Sequence, residues 1–222
     1  MERVSDMVKT WNYGAIWEDY PIEVGQVWEI GQHRIRAGDL MDDEAFEWAL
    51  SQEADFMYVD PPWTQSLISG FYTKAGKQGE GPNFWKFMER VVEVASRVKY
   101  RAWIEMGNQN IDRLKTLVEA RGGVVLEDWA VTYYKKHPSR LIEVLWHDPI
   151  SHELDLNGVD DGETPFKVCS LLPVGSKVLD VCAGKGLTAE AALRYGHTFI
   201  GLELNPRRLA HSIKKVEAYE QR

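Results

Sequence analysis

Four consecutive residues, Asp60-Pro61-Pro62-Trp63, follow an apolar stretch at 55–59 and bring a carboxylate, two rigid rings and an indole to one point. Paired prolines cannot continue a central strand, so the chain must turn there. The fixed φ of proline holds the Asp60 carboxylate and the Pro61 carbonyl as neighbouring acceptors. Trp63 adds a flat face on which a ring can stack. Such a corner suits chemistry on a planar group that carries N–H hydrogens. Taken alone, the motif also reads as a plain proline turn with a capping Asp.

A second constellation lies nearer the C-terminus. Val178-Leu179-Asp180-Val181-Cys182 reads as a strand running into Ala183-Gly184-Lys185-Gly186, with a helix at 187–195 behind it. Glycines let a backbone approach a ligand closely. The next strand, 198–204, leads into Glu203-Leu204-Asn205. An acidic residue about 20 positions past such glycines accepts hydrogen bonds from ribose hydroxyls. The full dinucleotide pattern is incomplete, because residue 189 is Ala. An ordinary βαβ unit whose glycines only ease packing is the alternative.

The elements that must position these residues alternate. Strands are predicted at 33–37, 55–59, 101–105, 124–134, 141–146, 177–182 and 198–204. Helices are predicted at 43–51, 84–98, 111–120, 187–195 and 206–219, from apolar spacing and flanking glycines and prolines. Alternation of this kind argues for an α/β fold, a Rossmann-like, doubly wound, mostly parallel sheet. The adjacent strands near 124–146 add an antiparallel hairpin at one edge. Residues 1–222 read as a single domain, with an N-terminal extension at 1–25, a flexible loop at 64–83 and an acidic connection at 148–163. The 64–83 loop carries Phe71, Tyr72, Lys74 and Lys77, residue types that could contact a substrate strand. Lys135, Lys136, His137 and Arg140 form a second small basic cluster.

Together, in this order, the motifs resemble the S-adenosylmethionine-dependent amino methyltransferases that act on DNA adenine or cytosine. The catalytic strand first and the donor glycines last is the permuted order of their β class. The resemblance spans about residues 35–209. It implies a class I methyltransferase fold with S-adenosylmethionine as cofactor. It also implies methyl transfer to an exocyclic amine, with the base flipped into a pocket at Asp60, Pro61, Pro62 and Trp63. An exocyclic amine is a poor nucleophile because its lone pair is delocalised into the ring. Acceptors at Asp60 and Pro61 would favour the pyramidal form, and neither a metal nor a covalent intermediate is required. Asp60, and not the Ser more frequent in cytosine-N4 enzymes, points to adenine N6. Donor contacts are implied for Asp39, Leu40, Asp60, Phe166, Lys167, Asp180, Cys182, Ala183, Gly184, Gly186, Glu203, Leu204 and Asn205. The family commonly has an aromatic residue where Cys182 stands and a small one where Lys185 stands.

Charge pulls against a polynucleotide substrate. The formal net charge is −8, whereas proteins that grip phosphates carry a basic footprint. The 148–163 connection holds Asp148, Glu153, Asp155, Asp160, Asp161 and Glu163, and is too short for the target-recognition region of sequence-specific relatives. Weak specificity, a homodimer or partner subunit that supplies recognition, a single-stranded substrate, or a substrate that is no nucleic acid at all but a small molecule or protein amide, are each compatible. DNA is the expected partner and RNA the second. A cytosine-N4 enzyme and a non-catalytic, nucleic-acid-binding subunit are the further alternatives. The charged start and the lack of an apolar run near the roughly 20 residues of a membrane span predict a soluble, cytoplasmic protein.

Overall fold

The computed structural model describes residues 20–79, 81–147 and 154–221. In chain order the elements are β1 (Val27–Ile30), β2 (His33–Ala37), α1 (Asp43–Leu50), β3 (Phe56–Val59), α2 (Gln65–Lys74) and α3 (Phe84–Ala95). Then come β4 (Arg101–Gly107), α4 (Ile111–Ala120), β5 (Val124–Tyr133), β6 (His137–Leu145) and α5 (Thr164–Cys169). The last are β7 (Lys177–Asp180), α6 (Leu187–Arg194), β8 (Thr198–Glu203) and α7 (Pro206–Glu220).

The strands form one sheet in the order β1-β2-β8-β7-β3-β4-β6-β5. The five central strands, β2 to β4 in that order, pair in parallel. Strands buried on both sides need apolar residues at every position, and Phe56, Met57, Tyr58 and Val59 of β3 are all buried. Their alternation divides them: Met57 and Val59 join the core under α1 to α4, Phe56 and Tyr58 the core under α5 to α7. The helices complete the two outer layers. In α3, Phe84, Phe87, Met88, Val91, Val92 and Ala95 are buried along one face. The Asn83 side chain caps that helix, accepting from the N–H of Trp85 and Lys86 at 3.0 and 3.1 Å. Each such buried apolar side chain contributes about 1.5–3 kcal/mol over exposure.

Antiparallel pairing occurs at both edges of the sheet, not at one. The β5–β6 hairpin lies where expected. At the opposite edge β1 pairs with β2 through the two-residue turn Gly31-Gln32, with Gly31 at φ 58°. The expectation for 64–83 is also corrected. Half of that segment is helix α2, whose N-cap Thr64 accepts from the N–H of Leu67 at 3.2 Å. Only Ile68 and Tyr72 of α2 are buried, so its apolar spacing is faint. Residues 154–163 of the acidic connection run beside β5, with Thr132 and Asp160 forming a bridge. The rest of that connection, and residues 1–19 of the N-terminal extension, lie outside the described residues. Among the described residues no helix is long and apolar enough to cross a membrane.

The strand order sets where the site must be. From β7 the chain crosses through α6 to β8 on one side; from β3 it crosses to β4 on the other. β7 and β3 are themselves neighbours. Crossovers that diverge from adjacent parallel strands leave a crevice at their carboxyl ends. Asp180 ends β7 and Asp60 follows β3, so the fold brings both sequence motifs to the same crevice.

Candidate active site

The crevice is a cleft of about 840 Å³ lined by residues of both motifs. Its glycine side is built on backbone geometry. Gly184 and Gly186 take φ 55° and 76°, values that L side chains rarely adopt. A Cβ on Gly184 would lie 2.6 Å from the Arg208 guanidinium, and one on Gly186 2.9 Å from Ser212 Oγ. Asp180 Oδ1 accepts from the Cys182 N–H at 2.9 Å and closes the turn. Glu203 holds two backbone groups: Oε2 accepts from Gly184 N–H at 2.7 Å and Oε1 from Asn205 N–H at 2.8 Å. Each oxygen keeps a lone pair for a hydroxyl donor. Asn205 caps α7 through the N–H of Arg207 at 3.0 Å and reaches across to the Lys74 carbonyl at 3.3 Å. Cys182, Ala183 and Leu204 complete this wall.

Burial governs the acids here. It pushes the buried Asp180 up to about 7, against hydrogen bonds from Thr188 and Cys182 and with the nearby charges of Glu203 and Asp60. Burial also raises the Cys182 thiol, with Asp180 and Glu203 adding to the rise.

Across the cleft, Asp60 opens to solvent through the cleft mouth. The protein packed around it still raises its acid to about 7, opposed by the Trp63 hydrogen bond, aided by Asp161 and opposed by Arg208. Trp63 Nε1 donates to Asp60 Oδ1 at 2.9 Å. The indole is fixed on two more sides: its residue's carbonyl accepts from Asn110 Nδ2 at 2.6 Å, and its ring lies on the backbone of Gly107. The Tyr133 ring packs edge-on to it at 5.0 Å. Pro61 is buried and Pro62 half-buried, both in the cleft wall.

Beneath Asp60 lies a buried polar group absent from the sequence expectations. Tyr58 Oη donates to Glu105 Oε1 and stands 2.5 Å from Thr164 Oγ1, which is itself 3.0 Å from Glu105 Oε1. Glu105 is 1% exposed, and among the described residues its Oε2 has no hydrogen-bond partner. Burial, then the charge of Asp60, hold its acid well above the usual carboxylate range. A charged residue inside an otherwise apolar strand was the available signal. Arg208 is the second omission. Its guanidinium lies 5.0 Å from the Phe71 ring and beside Gly184, and its buried Nε has no hydrogen-bond partner among the described residues.

The remaining expected residues divide. Leu40 and Asp39 line the cleft. Asp39 accepts from Tyr72 Oη and, at 2.9 Å, from Met41 N–H, while Lys77 Nζ stands 3.1 Å from its Oδ2. Tyr72 and Lys77 thus hold Asp39, and Tyr72 lines the cleft as well. Phe71 and Lys74 do line the cleft. Phe166 and Lys167 do not: they border a separate shallow depression, where Arg194 covers the Phe166 ring at 4.4 Å.

The fold is shared with solved DNA methyltransferases. The M1.HpyAVI complex with S-adenosylmethionine matches 82% of this chain and 98% of its own, with TM-score 0.62 and 15% identity. TTHA0409 of Thermus thermophilus, named as a DNA modification methylase and solved with S-adenosyl-L-methionine, matches 85% and 96% with TM-score 0.61 and 17% identity. The cytosine-N4-specific PvuII DNA methyltransferase matches 89% and 96% with TM-score 0.59 and 11% identity. No protein-family model matches the chain, and no curated protein is similar to it.

Proposed function

We propose that this chain is an S-adenosylmethionine-dependent methyltransferase acting on the exocyclic N6 amine of adenine in DNA. The observation that carries the reading is the meeting of two motifs, remote in sequence, across one cleft: the Asp60–Trp63 corner and the Gly184–Glu203 turn. The fold likeness to methyltransferases solved with that donor supports it.

The donor side fits the molecule. The positive φ of Gly184 and Gly186 opens backbone for close approach. Glu203 offers two acceptors to ribose hydroxyls. Arg208, with an unpartnered buried Nε, offers a cation to the donor's carboxylate. When bound, S-adenosylmethionine supplies a methyl group already activated as a sulfonium. The chain then has to position the amine and manage its hydrogens. Asp60 and the Pro61 carbonyl accept the N–H hydrogens. An acid near 7 makes Asp60 basic enough to take the proton that N-methylation releases. Trp63 holds Asp60 in place and gives the base a face to stack on.

The cytosine-N4 alternative draws support from the PvuII enzyme's fold, and the Asp at position 60 favours adenine. The test is methyl transfer from labelled donor to unmethylated DNA, with nucleosides resolved by mass spectrometry. N6-methyladenine is expected; N4-methylcytosine would overturn the choice of base while leaving the methyl transfer itself standing.

A further inference from the structure

The turn joining β5 to β6 stands at the cleft mouth in a conformation its residues do not favour. Lys136 N–H donates to the Tyr133 carbonyl at 3.2 Å, closing a tight turn over Tyr134 and Lys135. Both central residues have positive φ, 49° and 57°. Turns of this geometry favour Asn-Gly, because other L residues reach it at a cost. The acidic segment holds them there. Asp161 Oδ1 accepts from Tyr134 N–H at 3.1 Å, and Asp160 Oδ1 accepts from Lys135 N–H and, at 2.9 Å, from Thr132 Oγ1. Strain that is over-determined by its surroundings clusters at functional sites.

What the turn presents is consistent. Tyr134 is 68% exposed, and Lys135 and Lys136 are exposed beside it. Tyr134 also lines the cleft. Its ring continues an unbroken run of aromatic contacts outward from the catalytic corner: Trp63 to Tyr133 at 5.0 Å, then Tyr133 to Tyr134 at 4.3 Å. Asp160 and Asp161, two of the acids of the 148–163 connection, are turned towards the turn's own N–H groups.

We propose that the Tyr134–Lys136 turn is a binding site for single-stranded nucleic acid, stacking an unpaired base beside the target on Tyr134 and placing Lys135 and Lys136 against the adjoining phosphates. This rests on the reading of the Asp60 corner as a base pocket. A single strand fits better than a duplex. Stacking on a side chain needs a free base face, whereas bases flanking a target in a duplex already stack on their neighbours. Two lysines and one ring are also far smaller than an element that fills a groove.

The test measures binding of the full chain to a fluorescent mixed-sequence single-stranded DNA 12-mer and to the same sequence as a duplex, with donor affinity by calorimetry alongside. Tyr134→Ala is expected to weaken single-strand binding at least about fivefold, with Tyr134→Phe near wild type. The Lys135→Ala, Lys136→Ala double variant is expected to flatten the salt dependence by about 1.4 in log–log slope, at about 0.7 per phosphate contact. Donor affinity should not move in any of them. Wild-type single-strand affinity in both Tyr134→Ala and the lysine pair overturns the proposal, as does equal loss on both DNA forms in Tyr134→Ala. Failure of the wild type to bind donor would count against the methyltransferase reading instead, and the oligonucleotide arm would still decide the turn.

Discussion

Trp63 Nε1 donates to Asp60 Oδ1 at 2.9 Å, so the ring that would stack the base also fixes the acceptor that would take its proton. That hydrogen bond stabilises the carboxylate against the surrounding protein that raises its acid to about 7. As pH falls through about 7 Asp60 becomes protonated and can no longer take the proton that the amine releases. The rate of methyl transfer should therefore fall on the acid side, with a midpoint near 7. Trp63→Phe keeps the stacking face and loses the hydrogen bond, so its acid limb should move to higher pH. A pH profile of single-turnover rates checks both; a limb that does not move on Trp63→Phe would remove the indole from control of Asp60.

Asp180 is 3% exposed and raised to about 7 by burial. Its acid is weaker in the folded protein than in the unfolded chain, so it favours the fold at low pH. That contribution is lost as pH rises through about 7. Asp180→Asn keeps an acceptor for the Cys182 N–H and removes the charge. The variant should be the more stable protein at pH 8, by up to about 4 kcal/mol for a rise from the usual carboxylate range to about 7, with the difference closing towards pH 4. Urea melts at the two pH values measure it. An unchanged difference between them would mean that the Asp180 charge is relieved in another way.

Arg208 should recognise the donor's carboxylate. Arg208→Ala is expected to weaken S-adenosylmethionine binding by about 10-fold or more, as loss of a charge-assisted hydrogen bond costs about 1.5–3 kcal/mol. Affinity for 5′-methylthioadenosine, which lacks the carboxylate, should be unchanged. Calorimetry with both ligands on both proteins gives the answer. Equal weakening of the two ligands would make Arg208 a packing residue over Phe71 and Gly184.

Glu105 ties β3, β4 and α5 together beneath Asp60. Glu105→Gln keeps a neutral side chain with an acceptor for Tyr58, so its stability should stay within about 1 kcal/mol of wild type. Glu105→Ala takes the carboxylate acceptor away from the buried Tyr58 and Thr164 hydroxyls, leaving them each other and the Asp161 carbonyl, at a cost of about 1–3 kcal/mol. Thermal melts of the two variants separate these cases; a Glu105→Gln as unstable as Glu105→Ala would mean that Glu105 is charged in the fold.

The parallel sheet was legible because its strands are short apolar runs bounded by glycine, proline and acidic turns, and both sequence motifs sit at such boundaries. β1 was not, because an edge strand of four residues, only half-buried on alternate positions, carries little pattern. Its turn, Gly31-Gln32, was the remaining cue. α2 was hidden by Gly70 and by having only Ile68 and Tyr72 buried. With that helix unseen, the contacts of Tyr72 and Lys77 with Asp39 were not legible. Arg208 lies on the C-terminal helix, and only the fold places it over the glycine turn. Phe166 and Lys167 lie on a short helix near the right position in sequence, yet they border a separate depression and not the cleft.

The central claim is that Asp60 performs chemistry on a substrate amine while the opposite wall of the cleft holds the donor. It is tested by comparing wild type with Asp60→Ala for S-adenosylmethionine affinity and for transfer of labelled methyl to single-stranded and duplex DNA. The account predicts comparable donor affinity in both proteins, with transfer by wild type and none measurable in the variant. Full transfer by Asp60→Ala would contradict it.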